Sequence, residues 1–264
     1  MRHLVLGLPL AACLLIFGAG CATTTTPSPS SSRDGMDRVS PVRAAEVNTR
    51  LGIGYLERDQ IRLAIEKLET ALTHDPSHTP AHLTLAMIYE QLGDAERAGQ
   101  YYAQASRLAP EDGATQNAYA VYLCRRGDFE QANRHFERAM ADPFYATPEL
   151  AYGNAGACAR RASQATQAEA YLRQALDIDP DYPDALFQLA ELYLQRGESF
   201  RARAFLQRLE SVVAPDASML ILGYRIEQGL SNPDQADQYA ARLERQFPES
   251  AQARELRTLR QEDD

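Results

Sequence analysis

Positive charge is what this sequence is short of. Across 264 residues, 27 lysines and arginines face 36 aspartates and glutamates, for a net charge of -9 and a pI near 5.1. A chain so balanced has no electrostatic footprint for a phosphate backbone, which excludes nucleic acid as a partner. Anionic lipid should repel it, so any membrane attachment needs a covalent or apolar anchor. Tryptophan is absent and glycine numbers only 15, while 45% of residues are hydrophobic. That combination fits a helical, core-forming chain. No Gly-rich phosphate loop, nucleophile elbow or His-Glu-x-x-His occurs, and these are the patterns that carry phosphate, acyl and zinc chemistry. No catalytic residue, cofactor or small-molecule substrate is therefore expected.

What the sequence does contain is a period. Ala64, Ala98, Ala132, Ala168 and Ala202 are separated by 34, 34, 36 and 34 residues. Each stands in the same surroundings. Leu51, Gly52 and Tyr55 precede Ala64, with Leu68, Ala71 and Pro76 after it; Ala86, Tyr89, Ala98, Tyr102, Ala105 and Pro110 keep the same offsets. Small residues at Gly52, Ala86 and Ala120 allow two antiparallel helices to approach closely, and aromatics fill the space beside them. A proline after the second helix stops it. This spacing is the tetratricopeptide repeat (TPR) signature, so the expected fold is all-α, a TPR superhelical solenoid of about six helix–turn–helix repeats. Such an array offers a binding surface rather than a catalytic scaffold.

The repeats are expected at about 45–78, 79–112, 113–148, 149–182, 183–215 and 216–250 within a folded region 41–250. The two-residue insertion falls in the turn 142–148. The sixth repeat is degenerate, with Leu222, Gly223, Ile226, Ala236, Tyr239 and Pro248. A charged C-terminal helix and tail, 251–264, are expected to cap the array, because a terminal repeat must show water a polar face.

The N-terminus reads as a leader. Arg2 precedes an apolar stretch from Leu4 to Phe17, then Gly18, Ala19 and Gly20 lead into Cys21. The order resembles a bacterial lipobox, which implies a signal peptide at 1–20 and lipidation of Cys21. Ala22 in place of Asp implies sorting to the outer membrane of a Gram-negative cell, facing the periplasm. An ordinary secretory signal and an uncleaved helix are the alternatives. Residues 21–40, rich in Thr, Ser and Pro, lack apolar periodicity and read as a disordered tether.

Cys124 and Cys158 remain after the leader. They fall at nearly one height in the first helices of repeats 3 and 4, so a disulfide is expected in an exported chain; two buried free thiols are the alternative. His74, His78 and His82 are spaced by four but interrupted by Pro76 and Pro80, which reads as exposed turn histidines, not a metal site. Asp179 and Asp181 flank Pro180, where acidic residues cap the following helix. The doublets Arg125–Arg126 and Arg160–Arg161 read as solvated faces or as a carboxylate-binding spot. In a TPR superhelix the concave wall is built from first-helix positions, which in repeats 1 and 2 include Ile53, Leu56, Leu83 and Met87. Apolar side chains there form a candidate partner-binding groove, unless the helix phase is one residue off, which would bury them.

The segments Asn117–Cys124, Gly127–Ala132, Pro143–Tyr145 and Asn154–Cys158 together resemble one lipoprotein family, the type IV pilus biogenesis and stability proteins PilF/PilW. The resemblance extends along the whole chain. It implies a disulfide between Cys124 and Cys158, a lipid at Cys21, and a pilotin: a non-enzymatic protein that binds the outer-membrane secretin of the type IV pilus and promotes its localisation and multimer assembly. A general envelope scaffold recruiting peptidoglycan or outer-membrane assembly factors is the competing function. An enzyme with accessory TPRs lacks room, since nothing of domain size lies outside the repeats.

Overall fold

The computed structural model describes residues 40–262; the leader at 1–20, Cys21 and the tether up to Val39 lie outside the described residues. Thirteen helices follow one another, with no strand among the described residues: α1 Pro41–Leu56, α2 Ile61–His74, α3 Thr79–Gln91, α4 Ala95–Leu108, α5 Gly113–Arg126, α6 Phe129–Ala141, α7 Pro148–Arg161, α8 Ala165–Ile178, α9 Pro183–Gln195, α10 Ser199–Val212, α11 Ala217–Gly229, α12 Pro233–Gln246 and α13 Ala251–Glu262. Odd- and even-numbered helices up to α12 pair as six antiparallel hairpins, and each hairpin packs on the next. Pro76, Pro110 and Pro180 sit just beyond α2, α4 and α8, where a missing donor costs nothing and continuation is blocked.

The pairing rests on close approach. A Cβ added at Gly52 would lie 2.7 Å from Cγ of Leu68, and one at Gly156 would lie 2.5 Å from Cγ of Leu172. The periodic alanines 64, 98, 132, 168 and 202 are all fully buried. The two helix types bury different amounts for a simple reason. A second helix such as α2 buries one narrow stripe, Ala64, Leu68 and Ala71. A first helix such as α3 lies between its own partner and the preceding hairpin, and buries Ala81, His82, Leu85, Ala86, Ile88 and Tyr89. Helix α1 has no preceding hairpin. It buries only Ala45, Thr49 and Gly52, and leaves Val47 and Leu51, the counterparts of Ala81 and Leu85, in solvent. At the other end α13 lays Ala253 and Leu256 against the last hairpin and shows charge outward, with Arg260 paired to Asp237 at 2.7 Å.

Turn chemistry divides by turn. Between the helices of each hairpin one residue takes a left-handed conformation: Asp59, Gly93, Gly127, Ser163, Gly197 and Ser231. Glycine suits that geometry because a Cβ there crowds the following carbonyl. Side-chain caps come from Ser40, Asp94, Asp112 and Asp216, which accept N–H bonds in the first turns of α1, α4, α5 and α11. Asp179 and Asp181 do not cap α9, contrary to expectation. The Asp179 carboxylate instead accepts the Asp181 N–H at 3.0 Å, bracing the turn as Asp75 does for Ser77 and Asp142 for Phe144. An Asp two residues before the required donor makes a local turn rather than a cap.

Ser163→Gly should stabilise the protein by about 1 kcal/mol by removing a left-handed non-glycine residue. Thermal unfolding followed by circular dichroism will show an increase of a few degrees in Tm.

Candidate functional site: the inner wall of the solenoid

First helices touch first helices: α1 packs on α3, α5 on α7, α7 on α9, α9 on α11 and α11 on α13. No pair of second helices makes a comparable contact among the described residues. The array therefore curves with its odd-numbered helices inside, and their exposed strips form the inner wall. Polar links cross that wall from helix to helix. Nε of Arg125 on α5 reaches Glu90 on α3 at 2.9 Å, Nη2 of Arg160 on α7 reaches Glu191 on α9 at 2.6 Å, and Arg225 on α11 pairs with Glu255 on α13. Nδ2 of Asn154 donates to Oδ1 of Asn117 at 3.2 Å, joining α7 to α5. One arginine of each doublet is thus spent between repeats, while Arg126 and Arg161 are exposed.

The predicted groove residues divide. Ile53 and Met87 stand in solvent, 38% and 57% exposed. Leu56 and Leu83 are half-buried and lean against the core of the first repeats, so they form the floor of the groove and not its open surface. The helix phase is that of a solvent-facing strip at Ile53 and Met87.

Cys124 and Cys158 are joined by a disulfide with a Cα–Cα separation of 5.8 Å. Each is about 95% buried, and Cys158 lies beside Phe129, Phe136 and Ala155. The bond ties α5 to α7 across the junction that carries the two-residue insertion. There Asp142 also accepts the Gly113 N–H at 2.8 Å, and Tyr145 packs so tightly on Gly113 that a Cβ would meet its ring at 2.7 Å.

Two tetratricopeptide repeat models match the chain, one over residues 55–122 and 159–221, the other over 120–183. The chain is 25% identical over 237 residues to the type IV pilus assembly protein PilF of Pseudomonas aeruginosa, covering 90% of this chain and 92% of PilF. The crystal structure of PilW, described as a widely conserved type IV pilus biogenesis factor, superposes with a TM-score of 0.75 at 31% identity, over 80% of this chain and 97% of PilW. The chain belongs to the PilF/PilW family. The solved structure of P. aeruginosa PilF superposes with a TM-score of 0.73 at 24% identity and is covered over 99% of its length. An uncharacterised protein of Haemophilus influenzae shares 31% identity over 159 residues. The protein is accordingly a pilus-related TPR protein, built to bind other proteins.

Within this PilF/PilW scaffold the structure places several polar groups that sequence reasoning missed. His82 is only 7% exposed, not a solvent-facing turn residue. Its Nε2 meets the Pro76 carbonyl at 2.9 Å and its ring tilts against Tyr101. Gln116 is fully buried: its amide nitrogen donates to the Ser106 and Ala109 carbonyls, and its oxygen accepts from Ser106 and from His135. Burial, with Arg138 and Arg134 nearby, pushes the His135 imidazole down to about 4, so it is neutral near pH 7 and donates from Nδ1. Glu169 is held down to about 2 by the Tyr193 hydroxyl, against the cost of desolvation, and by Arg196 and Arg173. In the same way the Tyr102 hydroxyl donates to Glu90 at 3.1 Å, and burial pushes that phenol upward. These networks lock neighbouring helices together.

Replacing both Cys124 and Cys158 with Ser should leave the helical content intact and lower stability by about 3–4 kcal/mol, the chain-entropy value for a loop of this length. The check is denaturant unfolding of the variant beside wild type with and without reductant. An identical midpoint for all samples would remove the bond from the stability of the fold.

Proposed function

We propose that this protein is a pilotin for the type IV pilus secretin. Acyl chains on Cys21 would fix it to the outer membrane, each buried CH₂ contributing about 0.8 kcal/mol, and the inner wall of the first two repeats would receive an apolar segment of the secretin. The observation that carries this reading is the pair Ile53 and Met87, held in solvent on the inner wall of a PilF/PilW-family protein. Side chains of that kind on a solvent-facing wall, with Leu56 and Leu83 beneath them, gain by being covered at about 25 cal/mol per Å². Bound secretin subunits would travel with the lipid anchor and meet one another at the outer membrane, where multimers form.

The deciding experiment is semi-denaturing gel blotting of outer-membrane secretin with and without this gene. Loss of the heat-resistant multimer, with monomer retained, is the expected result, and intact multimers would overturn the reading in favour of a general envelope scaffold. Cys21→Ser should give a folded protein released from the outer membrane, with multimer yield reduced. A variant that still fractionates with the outer membrane would refute lipidation as the anchor. Ile53→Glu and Met87→Glu should each weaken secretin co-precipitation at least tenfold with unchanged helicity.

A further inference from the structure

Three of the turns between repeats share one sequence pattern and one geometry. Asp75-Pro76-Ser77, Asp142-Pro143-Phe144 and Asp179-Pro180-Asp181 each place a carboxylate oxygen on the N–H two residues ahead, at 2.9, 2.8 and 3.0 Å. Ala109-Pro110-Glu111 holds the same place between repeats 2 and 3. The residue after the proline is exposed in all four turns, and in three of them it is polar, as exposure favours. The fourth is Phe144, 90% exposed. The turn does not require the ring, since Ser77 and Asp181 serve in it equally. Nor is the backbone beneath the ring loose. The Asp142 carboxylate accepts the Phe144 N–H and, through its other oxygen, the Gly113 N–H at 2.8 Å, and Tyr145 is seated on Gly113. A large aromatic is thus held in water on a braced loop, the manner in which interface anchors are presented.

Beside the ring lies a recess of about 490 Å³, walled by Pro110, Ala141, Pro143 and Phe144 and flanked by Arg138 and Glu111. All six residues are exposed. Arg138 and Glu111 make no ion pair with each other or with any other group among the described residues. One small surface therefore carries a projecting ring, a hollow, an unpaired cation and an unpaired anion. A patch of one sign would ask for a partner of the opposite sign. A patch holding both halves of each complement fits itself after half a turn, as a two-fold interface demands. We infer that this turn is a self-association surface whose occupant is a second copy of this chain. Each Phe144 enters the other copy's recess, against its two prolines, and each Arg138 meets the other copy's glutamate at position 111. The ring leaves water, while the rim charges set orientation more than affinity. The contact is small beside the about 800 Å² per partner of a standard interface, so the pair is weak and reversible. Ile53 and Met87 are on α1 and α3, so this surface and the apolar strip share no residue.

The test is sedimentation velocity of the purified full chain over a concentration series, with detergent micelles in excess over protein. It needs neither secretin nor a particular N-terminal anchor, so its outcome is independent of the pilotin reading. A reversible monomer–dimer equilibrium is expected. Phe144→Ser, which installs the residue of the first such turn, should weaken it at least tenfold with unchanged helicity. Arg138→Glu and Glu111→Arg should each weaken it at least threefold, because each sets like charges together twice in a two-fold dimer. An equal mixture of these two charge variants should associate within twofold of wild type, since both pairs in the mixed dimer are again opposite. That rescue distinguishes direct pairing from damage to the fold. A monomer at every concentration, unchanged association of Phe144→Ser, or a mixture no stronger than either variant alone would each overturn the proposal.

Discussion

The contact of Leu68 with Gly52, which recurs as Leu172 against Gly156, fixes the distance between the two helices of a hairpin. Everything else in the solenoid depends on that distance. With a larger residue at the glycine, the second helix would be pushed away from Ala64 or Ala168, and the fully buried alanines would face a gap rather than a neighbour. Because a hairpin is only two helices thick, it cannot bury its first helix alone. The unburied side must be covered by the hairpin before it, so stability grows by neighbour contacts and not by one central core. The exposed Val47 and Leu51 on α1 and the apolar underside of α13 are two ends of the same requirement, met at the second end and left open at the first.

A quasi-linear array is weakest where its period is broken, and here the break is the two-residue insertion between repeats 3 and 4. Three separate devices converge on that junction: the Cys124–Cys158 bond, the Asp142 carboxylate on the Gly113 N–H, and Tyr145 seated on the Cβ-less surface of Gly113. Substituting any one changes a junction that the other two still hold. The disulfide acts chiefly on the unfolded chain, by closing a loop of about one repeat, whereas the hydrogen bond and the aromatic contact act on the native geometry.

The fold was legible because its determinants are local and repeated. An alanine every 34 to 36 residues, a small residue twelve positions before it and a proline eleven to thirteen after it each state one steric requirement, and the requirement is the same in the first five hairpins. The turn residues were less legible. Asp179 is chemically fit to cap α9 but lies too far from its first turn, and only the backbone path shows that it bonds Asp181 instead. His82 and Gln116 were not legible at all, since a polar residue is expected in water until the helices around it are in place. Of the four groove residues, the sequence identifies the helix and the face. Which apolar side chains on that face stand in solvent, as Met87 does, and which lean into the core, as Leu83 does, shows only once the helices are packed.

The same geometry underlies the proposed recognition on the inner wall. A first helix is buried on two sides, against its own partner and against the preceding hairpin, so only a narrow strip remains free, and adjacent strips lie side by side across the concave face. Any ligand that follows the array must meet them in order. Its chemistry then changes along the path with no change in backbone: Ile53 and Met87 first, amides and ion pairs after. The ion pairs Glu90–Arg125, Arg160–Glu191 and Arg225–Glu255 are balanced in charge, so they add no net charge to the wall of this acidic protein. In the proposed pilotin, selectivity along the path would rest on covering the apolar strip at Ile53 and Met87.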